Sequence, residues 1–511
     1  MIYSVLFDNQ IKVWWDYNKL YDGDFYLIKK DGEEFTTTAS HYSFKDLTPN
    51  TTYSFSVVIK NEKGETLKEI GCADFVTLKA KNVLDVTKEP YNAIPDGTTL
   101  NTKAIQKAID DCTENDLVFF PDGVYLTGAL NLHSNVELRL SDNATLQGSE
   151  DEKDYLPKIP SRFEGWEEEA YRSLINTGTL DPKNFDYCCE NVVIRGGKIL
   201  GGGQKLRLNQ INAEKISILK ENGYENDPNP PGFYARSLPG RRRGRLMQFS
   251  NTKNILIADC YMGNGPAWNI HPIYCKDFIA CDCTVYSHAI SNGDGINPDS
   301  TENSLIFGIH FDTGDDFVAI KSGRNKVGYL VGRPTKNVKV FDCTCSDGHG
   351  VAVGSEMSGG VEDVTIWNCY FLKAAVGVSL KTNRERGGYI KNVSAYNCVT
   401  RKLGLNVYYG NNDGEPAPYP PVIENIHFED FTICGIARST PTADFGNKYS
   451  MGYAVRFRSE PSYKAKNISL KNITLLHRAV IPFQDLTAEN VENFTIENII
   501  CMGEDGKVSP F

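Results

Sequence analysis

Short segments in which apolar and polar residues alternate recur along most of the chain. Nine of them share one pattern, in which a polar turn residue is followed by alternating apolar positions and then by another polar turn. They read NVVIRGGKILGG, NILIADCYM, SLIFGIHFD, NVKVFDCTC, DVTIWNCYF, NVSAYNCVT, NIHFEDFTI, NISLKNITL and NFTIENIIC. Alternation of this kind, rich in β-branched residues and bounded by turn residues, predicts short β-strands.

The spacing of these segments predicts a solenoid. Their starting positions include Asn254, Asn303, Asn337, Asp363, Asn392, Asn425, Asn467 and Asn493. The intervals run from 26 to 49 residues, and the longer ones leave room for an extra coil or an inserted loop. Self-similarity at this period, carried by strands without intervening helices, predicts an all-β fold, a right-handed parallel β-helix. Asn tolerates left-handed backbone, and we expect the repeated amides to stack from coil to coil.

One amphipathic helix is predicted before the repeats begin. Apolar residues recur at helical spacing at Ala104, Ile105, Ala108, Ile109 and Cys112. Asn101 and Thr102 precede them as candidate caps. Because the open end of a solenoid exposes its core and strand edges, we expect this helix to cover the N-terminal end of the β-helix.

The chain divides near residue 80. Upstream, the runs IKVWWDY, DFYLIKK and TYSFSVVIK alternate and are separated by turn residues, which predicts a small β-sandwich over residues 1–80. In LTPNTTYSF, Leu47, Pro49 and Tyr53 occupy the positions of a tyrosine corner. This segment resembles a fibronectin type III domain, and the β-helix is expected to occupy residues 81–511.

The cysteine and tryptophan residues are predicted to fill cores. Fourteen Cys in 511 residues are too dilute for a small disulfide scaffold, and no pair has convincing zinc-site spacing. Several alternate, as Cys281 and Cys283 do, which sends neighbouring thiols to opposite faces of a strand. Trp14 and Trp15 are compatible with a carbohydrate platform, but a sandwich normally buries such residues and we expect burial.

Composition and charge restrict the classes of function. With 41% hydrophobic and 23% charged residues, the chain is globular and long enough for two domains. A net charge of −11 argues against a general nucleic-acid binder, which needs a basic surface. No segment approaches a membrane span, and MIYSVLFDNQIKVWW lacks the pattern of a signal peptide. A cytoplasmic location is therefore expected for the chain as given, and a secreted or periplasmic one if a leader has been removed.

Acidic residues cluster on consecutive predicted coils. DTGDDFVAIKSG places Asp315 and Asp316 side by side, the preceding coil supplies Asp294, and the following coil supplies His349 between two glycines. Successive coils lie about 4.8 Å apart, so their carboxylates can reach the roughly 6.5–9.5 Å separation of an inverting glycosidase. A shared site raises the pKa of one acid and keeps a proton available. For Asp299 we expect ordinary turn chemistry or solvation.

These motifs resemble glycoside hydrolase family 28, the polygalacturonases and their relatives, over roughly residues 83–505. NGD at 292–294 is similar to the family's Asn-Thr-Asp, GDD at 314–316 to its Gly-x-Asp-Asp region, and GHG at 348–350 to its GHG. The stretch from IPDGTTLNTKAIQKAIDDC to FPDGVYLTGAL is similar to the first coils of the wider pectin-degrading β-helix superfamily.

The resemblance implies a glycosidase that hydrolyses α-linked galacturonic acid residues of pectic polymers or oligomers. It implies exo action with inversion, and neither a cofactor nor a metal. Asp315 would be the general acid, while Asp294 and Asp316 would hold and deprotonate the attacking water. His349 would orient this group.

The substrate-binding positions depart from the family pattern at one residue. The family's Arg-Ile-Lys motif falls at residues 379–381, so Ser379 replaces the arginine expected to hold a uronate carboxylate. Lys381 keeps a positive charge, and Arg384 and Arg386 follow as candidates to compensate. A rhamnogalacturonan or a substituted galacturonan is equally compatible with this loss.

Long loops are predicted around residues 151–250. They contain ARSLPGRRRGRLMQF, in which Arg243 and Arg245 are candidate substrate-binding residues, although charge runs also form solvated faces. Loops of this length are commonly functional, and we expect them to wall one end of a groove and to favour removal of terminal sugars. Glu356, beyond the GHG motif, is a further candidate contact for substrate.

Other classes of function remain open at this point. A calcium-dependent pectate-type lyase would use clustered Asp oxygens to bind the ion. A noncatalytic carbohydrate-binding β-helix needs only coils and grooves. In each case the expected partner is a pectic poly- or oligosaccharide, with no nucleic acid and no membrane. The sequence does not indicate an oligomeric state.

Overall fold

A small antiparallel region and a long stack of parallel strands make up the fold. A computed structural model describes residues 1–182, 186–407, 414–434, 453–460, 462–476, 481–484, 487, 489–502 and 508–510. Over these residues the parallel β-helix predicted from the alternating segments is present. In the same part of the chain, no helix is long and apolar enough to cross a membrane.

The N-terminal region contains two antiparallel sheets. One sheet consists of Tyr3–Leu6, Ile11–Trp14 and His41–Phe44, and the other of Phe25–Lys30, Glu33–Thr37, Thr52–Lys60 and Thr66–Val76. The alternating apolar residues of these strands form one core around the buried Trp15 and Tyr26. The Tyr53 hydroxyl accepts a hydrogen bond of 2.9 Å from the backbone N–H of Thr48, which is the kind of contact that a tyrosine corner makes.

The β-helix has a long sheet that follows two of its faces. Its strands are Asn82–Asp85, Asp96–Leu100, Asp116–Phe120, Gly123–Thr127, Glu137–Leu140, Ala144–Gly148, Cys189–Arg195, Lys198–Leu200, Thr252–Ala258, Tyr261–Gly263, Lys276–Cys281, Thr284–Ser287, Glu302–Phe307, His310–Thr313, Thr335–Phe341, Thr344–Asp347, Val361–Trp367, Tyr370–Phe371, Tyr389–Thr400, Val422–Ile433, Ala465–Leu476, Val491–Met502 and Val508–Pro510. All of its pairings are parallel except the last, between the two C-terminal strands.

The remaining face carries a second parallel sheet, here called the short-strand sheet. Its strands are Leu130–Leu132, Ile175–Thr177, Met247–Ser250, Ile270–Ile273, Val318–Ile320, Val351–Val353, Val378–Lys381, Leu403–Asn406, Tyr453–Arg458 and Ile481–Gln484. Single parallel bridges at Ile296 and Asp299 join its two halves. In the C-terminal half, Val318, Val351, Val378 and Leu403 are paired in register and face the core, so the alternate residues face outward.

The described part of the chain contains four α-helices. They are Thr102–Asp111, Gly203–Glu221, Leu238–Arg241 and Asn325–Val331, with a 3-10 turn at Glu152–Tyr155 and a π-helical turn at Phe233–Ser237. The first confirms the predicted amphipathic helix, with Ile105, Ala108 and Ile109 buried. Asn101 stands at its N-cap position, but the Asn101 side chain bonds to the backbone of Ile94 and not to the helix.

The region around residues 151–250 was predicted to consist of long loops, and this was wrong, because it also contains a helix and a hairpin. Helix Gly203–Glu221 turns Leu206, Gln210, Glu214 and Ile218 inward. Since two of these four buried residues are polar, the apolar period along the helix is too weak to indicate it. An antiparallel hairpin, Ile159–Phe163 with Trp166–Ala170, also lies in this region.

The predicted asparagine stacking is present on the outer surface. The Asn425 amide donates to Asn392 at 3.0 Å, Asn392 donates to Asp363 at 2.9 Å, and Asn467 donates to Asn425 at 2.9 Å. These residues have φ between 54° and 60°, the left-handed region that Asn tolerates. One turn geometry is thus repeated from coil to coil.

The cysteines fill cores, as predicted. All fourteen are free thiols and most are buried. Cys283 lies in the interior of the β-helix, whereas Cys281 faces the opposite side of the same coil. There it packs in a cluster with Trp14 of the N-terminal sandwich and Phe341 of the long sheet. Trp14 and Trp15 are both buried, which confirms the expectation for them.

The sandwich docks on the long sheet through charged as well as apolar groups. Lys12, which has no exposed surface, places its Nζ 2.8 Å from Asp259 and 2.6 Å from Asp282. The His41 ring lies between Asp282, at 3.1 Å, and Asp342, at 2.6 Å. The N-terminal sheets and the β-helix are therefore joined by partly buried ion pairs beside an aromatic contact.

Candidate active site

The predicted acids lie where strands of the short-strand sheet begin. Ile296 is bridged to Val318, so Asp294 and Asp316, each two residues earlier, are neighbours on adjacent coils. The backbone confirms the register, because the N–H of Gly295 donates to the carbonyl of Asp316 at 2.9 Å. The two coils therefore bring Asp294 and Asp316 to the same corner of the β-helix.

His349 is held on the next coil. Its Nδ1 lies 2.9 Å from Oδ1 of Asp315, and its backbone N–H donates to the Asp315 carbonyl at 3.0 Å. The following Gly350 has φ of +86°, and a Cβ there would lie 2.0 Å from the Val376 carbonyl oxygen. Glycine is needed at this turn because the next coil approaches so closely.

Lys381 binds the second acid of the GDD motif. Its Nζ contacts both carboxylate oxygens of Asp316, at 2.8 and 2.9 Å. The two side chains are 15% and 7% exposed, so little water separates them. This ion pair ties the strand Val378–Lys381 to the acid cluster two coils away.

Asp294 differs from its neighbours in having lost most of its contact with water. It is 3% exposed, and Oδ2 accepts a bond of 2.8 Å from Asn297 while Oδ1 is buried without a hydrogen-bond partner among the described residues. Burial and the charge of Asp315 raise the pKa of Asp294 well above its usual range. The environment of Asp294 therefore favours its protonated form.

Asp315 and His349 form an ion pair. Burial alone would raise the pKa of Asp315, but the hydrogen bond and charge of His349 outweigh it and lower that pKa. Reciprocally, burial would lower the pKa of His349, but Asp315 outweighs it and raises that pKa. Both side chains remain about one-fifth exposed, which leaves Asp315 accessible from outside the β-helix.

The ligand atoms of Asp315, Asp316 and His349 lie within 4.8 Å of one another, close enough for a metal ion. A calcium ion, however, takes six to eight oxygen ligands, and this group offers two carboxylates and a ring nitrogen. The Lys381 ammonium already contacts both oxygens of Asp316, where a cation would bind. The donor set fits an acid–base cluster better than it fits the calcium site of a lyase.

A second buried ion pair lies beside the acids. Lys321 Nζ is 2.9 Å from Oε2 of Glu356, and the same ammonium lies 4.8 Å from the ring centre of Trp268. Burial alone would raise the pKa of Glu356, but the charges of Lys321 and Arg386 outweigh it and lower that pKa. Glu356, predicted as a substrate contact, is thus an ionised partner of Lys321.

The remaining predicted arginines are divided between surface and interior. Arg384 is exposed, whereas Arg386 is fully buried and donates to the carbonyl of Ser355 and to Asn325. Arg243 and Arg245 are 3% and 1% exposed. Their guanidinium groups bond mainly to backbone carbonyls, so we assign them to holding the loops in place rather than to presenting charge to a ligand.

Ser379 lies next to Lys381 on the outward face of the short-strand sheet. It pairs with Ala352 on one side and Gly404 on the other, and it is 8% exposed. Its hydroxyl has no hydrogen-bond partner among the described residues. The position expected to carry an arginine is therefore a neutral, small residue within a row of small residues.

The expectation that Asp299 is solvated was wrong. Asp299 has no exposed surface, and Oδ1 accepts a bond of 2.7 Å from Nη1 of Arg162. Arg162 comes from the hairpin Ile159–Phe163, whose Phe163 stacks on Trp268 with ring centres 4.5 Å apart. Sequence reasoning missed Arg162 and Trp268, because segments more than 100 residues apart bring them together and neither stands in a motif.

Comparison with known proteins finds similarity to pectin-degrading enzymes. The sequence profile of the family Glycosyl hydrolases family 28 matches residues 190–408, and that of Rhamnogalacturonase A/epimerase, pectate lyase-like, matches residues 84–162. A probable polygalacturonase of Vitis vinifera is 28% identical over 406 residues, which cover 75% of this chain and 73% of that protein. An exo-poly-α-D-galacturonosidase of Dickeya chrysanthemi is 27% identical over 412 residues, 76% and 67% of the two chains.

Solved structures share the fold. A family 28 exopolygalacturonase of Yersinia enterocolitica superposes with a TM-score of 0.73 over 98% of both chains, at 21% identity. A hyperthermoactive exopolygalacturonase from Thermotoga maritima gives a TM-score of 0.66 at 28% identity, over 84% of this chain and 93% of that one. The motifs around Asp294, Asp315 and His349 all lie in the part of the chain that is similar to glycosyl hydrolases family 28.

Proposed function

We propose that this protein hydrolyses α-linked galacturonan and removes units from one end of the chain with inversion. The observation that carries the proposal is the corner formed by Asp294, Asp315 and Asp316, in which the pKa of Asp294 is raised, the pKa of Asp315 is lowered and Lys381 binds the carboxylate of Asp316. Inverting hydrolysis needs one acid and one base on opposite sides of the bond that breaks. The cluster supplies both.

Each acid has a role that its contacts support. Asp315 is the accessible carboxyl, so it protonates the glycosidic oxygen as that bond breaks. Asp316, whose carboxylate binds the Lys381 ammonium, takes the proton of the attacking water, which Asp294 helps to hold. The water oxygen bonds to the anomeric carbon from the opposite face, which inverts the configuration.

The proton must reach Asp315 before it can be donated. In the unliganded protein Asp294 holds it, but an acidic sugar that fills the site excludes water from Asp315 and adds a negative charge. Both effects raise the pKa of Asp315. The cluster titrates as a unit, so substrate binding redistributes its proton toward the carboxyl that faces the leaving oxygen.

The hairpin Ile159–Phe163 with Trp166–Ala170 supports exo action. Trp268 precedes Ile270 by two residues, as Asp294 precedes Ile296, so Trp268 lies on the coil just before the acids. Phe163 stacks on Trp268 and covers that side of the site. A site blocked on one side accepts the end of a polymer and leaves the remainder over the later coils.

Product analysis tests the proposal. The protein is incubated with polygalacturonate, short galacturonides and rhamnogalacturonan fragments, and the products are separated by size. Monomer from the first time point supports exo hydrolysis, whereas a ladder of oligomers contradicts exo action. Products with a new double bond, seen as ultraviolet absorbance that EDTA abolishes, would identify a lyase instead.

A substrate with an activated leaving group tests the acid assignment. Asp315→Asn is expected to lose hydrolysis of galacturonides but to retain hydrolysis of a nitrophenyl α-galacturonide, because a nitrophenolate departs without a proton. Asp316→Asn is expected to lose both reactions, since the water is no longer activated. If Asp294→Asn, and not Asp315→Asn, retains the nitrophenyl substrate, the acid is Asp294.

The N-terminal sandwich is best interpreted as a fibronectin type III-like domain. Its two antiparallel sheets of three and four strands and the hydrogen bond from Thr48 to Tyr53 support this interpretation. Tyr53→Phe, which removes only the hydroxyl, is expected to destabilise the sandwich by about 1 kcal/mol. An unchanged unfolding curve would contradict the role of a tyrosine corner.

A further inference from the structure

The column of side chains that carries the acids also includes an aromatic residue, Trp268. Trp268 and Asp294 are neighbours on adjacent coils, because each stands two residues before one member of a bridged pair of core residues. The backbone confirms this register, since the N–H of Asn269 donates to the Asp294 carbonyl at 3.0 Å. Asp294 therefore follows Trp268 in the column and precedes Asp316.

Trp268 is enclosed by contacts from several elements. It is 2% exposed, and Phe163 of the hairpin stacks on it with ring centres 4.5 Å apart and an angle of 22° between the planes. The ring of His271 meets it edge-on at 4.8 Å, and the Arg245 guanidinium lies 5.0 Å from its ring centre. These contacts hold the Trp268 ring in one place beside the acids.

Phe163 connects this arrangement to the hairpin. Phe163 is 3% exposed, and the Arg245 guanidinium lies 4.6 Å from its ring centre. Arg245 also donates to the carbonyl of Arg162, the residue before Phe163, at 2.8 Å. The covering of one side of the site and the enclosure of Trp268 therefore depend on the same contact, that of Phe163 with Trp268.

Charged groups of both signs surround Asp294. The acids among them raise the pKa of Asp294 and Lys321 lowers it, but burial has the largest effect and raises it. Access of water is therefore the property of this site that most strongly decides whether Asp294 is protonated. The charged groups are Asp315, Asp316, Lys321 and Arg245, together with His349 and Lys381, which are paired with Asp315 and Asp316.

We propose that Trp268, held by Phe163, is a positioning residue that keeps water away from Asp294 and thereby keeps the Asp294 carboxyl protonated. The hairpin then affects the reaction in two ways, because it blocks one side of the site and also sets the pH at which the acid cluster loses its proton. An apolar aromatic wall beside a carboxyl is suited to this role. The inference rests on the proposed hydrolysis of galacturonan and adds the residue that tunes its acid cluster.

The pH profile of kcat/KM on short galacturonides tests the proposal. Its alkaline limb, where kcat/KM falls as pH rises, reports the proton of the acid in the free enzyme. Trp268→Leu and Phe163→Ala each admit water beside Asp294. Each should move the limb to lower pH by about one pH unit, which is about a tenfold loss of kcat/KM at a pH above the limb. A purely structural role would lower kcat/KM equally at every pH.

Trp367→Leu is the matched control. Trp367 is 1% exposed and stacks on Phe341 of the long sheet, with ring centres 4.2 Å apart. The control therefore removes a tryptophan of similar burial that packs against the N-terminal sandwich, and it should leave the position of the limb unchanged. If Trp268→Leu does not fold, Phe163→Ala decides the outcome, since it removes only the hairpin side of the contact.

The pH dependence of stability gives a second readout, which needs no activity. When the pKa of a carboxyl is raised in the folded protein, its contribution to stability is fully present below about pH 4 and is lost as pH rises through the folded pKa. Asp294→Asn removes this loss, so the difference in unfolding free energy between Asp294→Asn and the wild type should change with pH. The change should be smaller when Trp268→Leu is present in both proteins.

The proposal is overturned if Trp268→Leu and Phe163→Ala leave the limb where it lies in the wild type, or if Trp367→Leu moves it as far. If the wild type cleaves no galacturonide, the proposed function fails separately and the stability measurement decides. An equal pH dependence of the Asp294→Asn effect with and without Trp268 then refutes the role of Trp268. A weaker dependence without Trp268 supports that role.

Discussion

Docking of the N-terminal sandwich should depend on pH through His41. Burial alone would lower the pKa of His41, but hydrogen bonds and charge from Asp282 and Asp342 outweigh it and raise that pKa to about 9. The ordinary pKa of histidine is about 6.5. At about 1.36 kcal/mol per pH unit, the difference between the two pKa values corresponds to about 3 kcal/mol of folding free energy. Lys12 shares Asp282 and stays charged throughout, since its own pKa is also raised.

The raised pKa of His41 determines whether stability rises or falls with pH. A pKa raised in the folded protein gives stability that is fully present below about 6.5 and is lost as pH rises to about 9. His41→Phe removes the charge and keeps a ring against Phe307, whose centre lies 5.1 Å from the His41 ring. The destabilisation caused by His41→Phe should therefore be about 3 kcal/mol larger at pH 6 than at pH 9.5.

Urea denaturation followed by tryptophan fluorescence measures this difference, because Trp14 lies in the interface. A matched control is His310→Phe on the long sheet, since the described partners of His310 are the hydroxyls of Thr344 and Ser346. The effect of His310→Phe at each pH gives the baseline against which the effect of His41→Phe is compared. Equal destabilisation by His41→Phe at pH 6 and pH 9.5 would refute the ion-pair explanation of docking.

Four further predictions concern the site and the coils. Lys381→Met should lower kcat/KM on galacturonides about a hundredfold and should also lower the melting temperature, because the nearly buried carboxylate of Asp316 loses its counter-charge. Phe163→Ala should open the covered side and yield oligomeric products, measured by size separation. The alkaline limb of the kcat/KM profile should lie above the ordinary carboxyl pKa of about 4, because burial and Asp315 raise the pKa of Asp294. Asn392→Ala should destabilise the fold by about 1–3 kcal/mol and Asn392→Gly by less, since φ is positive there.

The coils and the acid cluster were predictable from the sequence for a common reason. Strands repeat the alternation of apolar residues, and the recurring Asn marks each turn, so both signals are local. The GDD and GHG motifs are also local. Because the coils stack at a constant spacing, motifs that lie one coil apart along the chain are neighbours in space. The amino-acid sequence alone is therefore enough to group Asp294, Asp315 and His349.

The wall of the site could not be predicted in this way. Arg162 meets Asp299 across 137 residues of sequence, and no pattern near either residue indicates the contact. A run of arginines in the sequence does not show where the side chains point. Arg243 was expected to contact the substrate, whereas in the structure it bonds to backbone carbonyls. The helix Gly203–Glu221 was missed because tertiary contacts bury its polar residues Gln210 and Glu214.

The stacked asparagines have a consequence for how such molecules change over evolutionary time. The corners at Asp363, Asn392, Asn425 and Asn467 repeat the same backbone geometry, and each bonds to the next corner along the row. A whole coil can thus be duplicated or lost without changes to the sequence of the neighbouring coils. The length of polymer that the surface accommodates is therefore free to vary while the reacting groups stay in place.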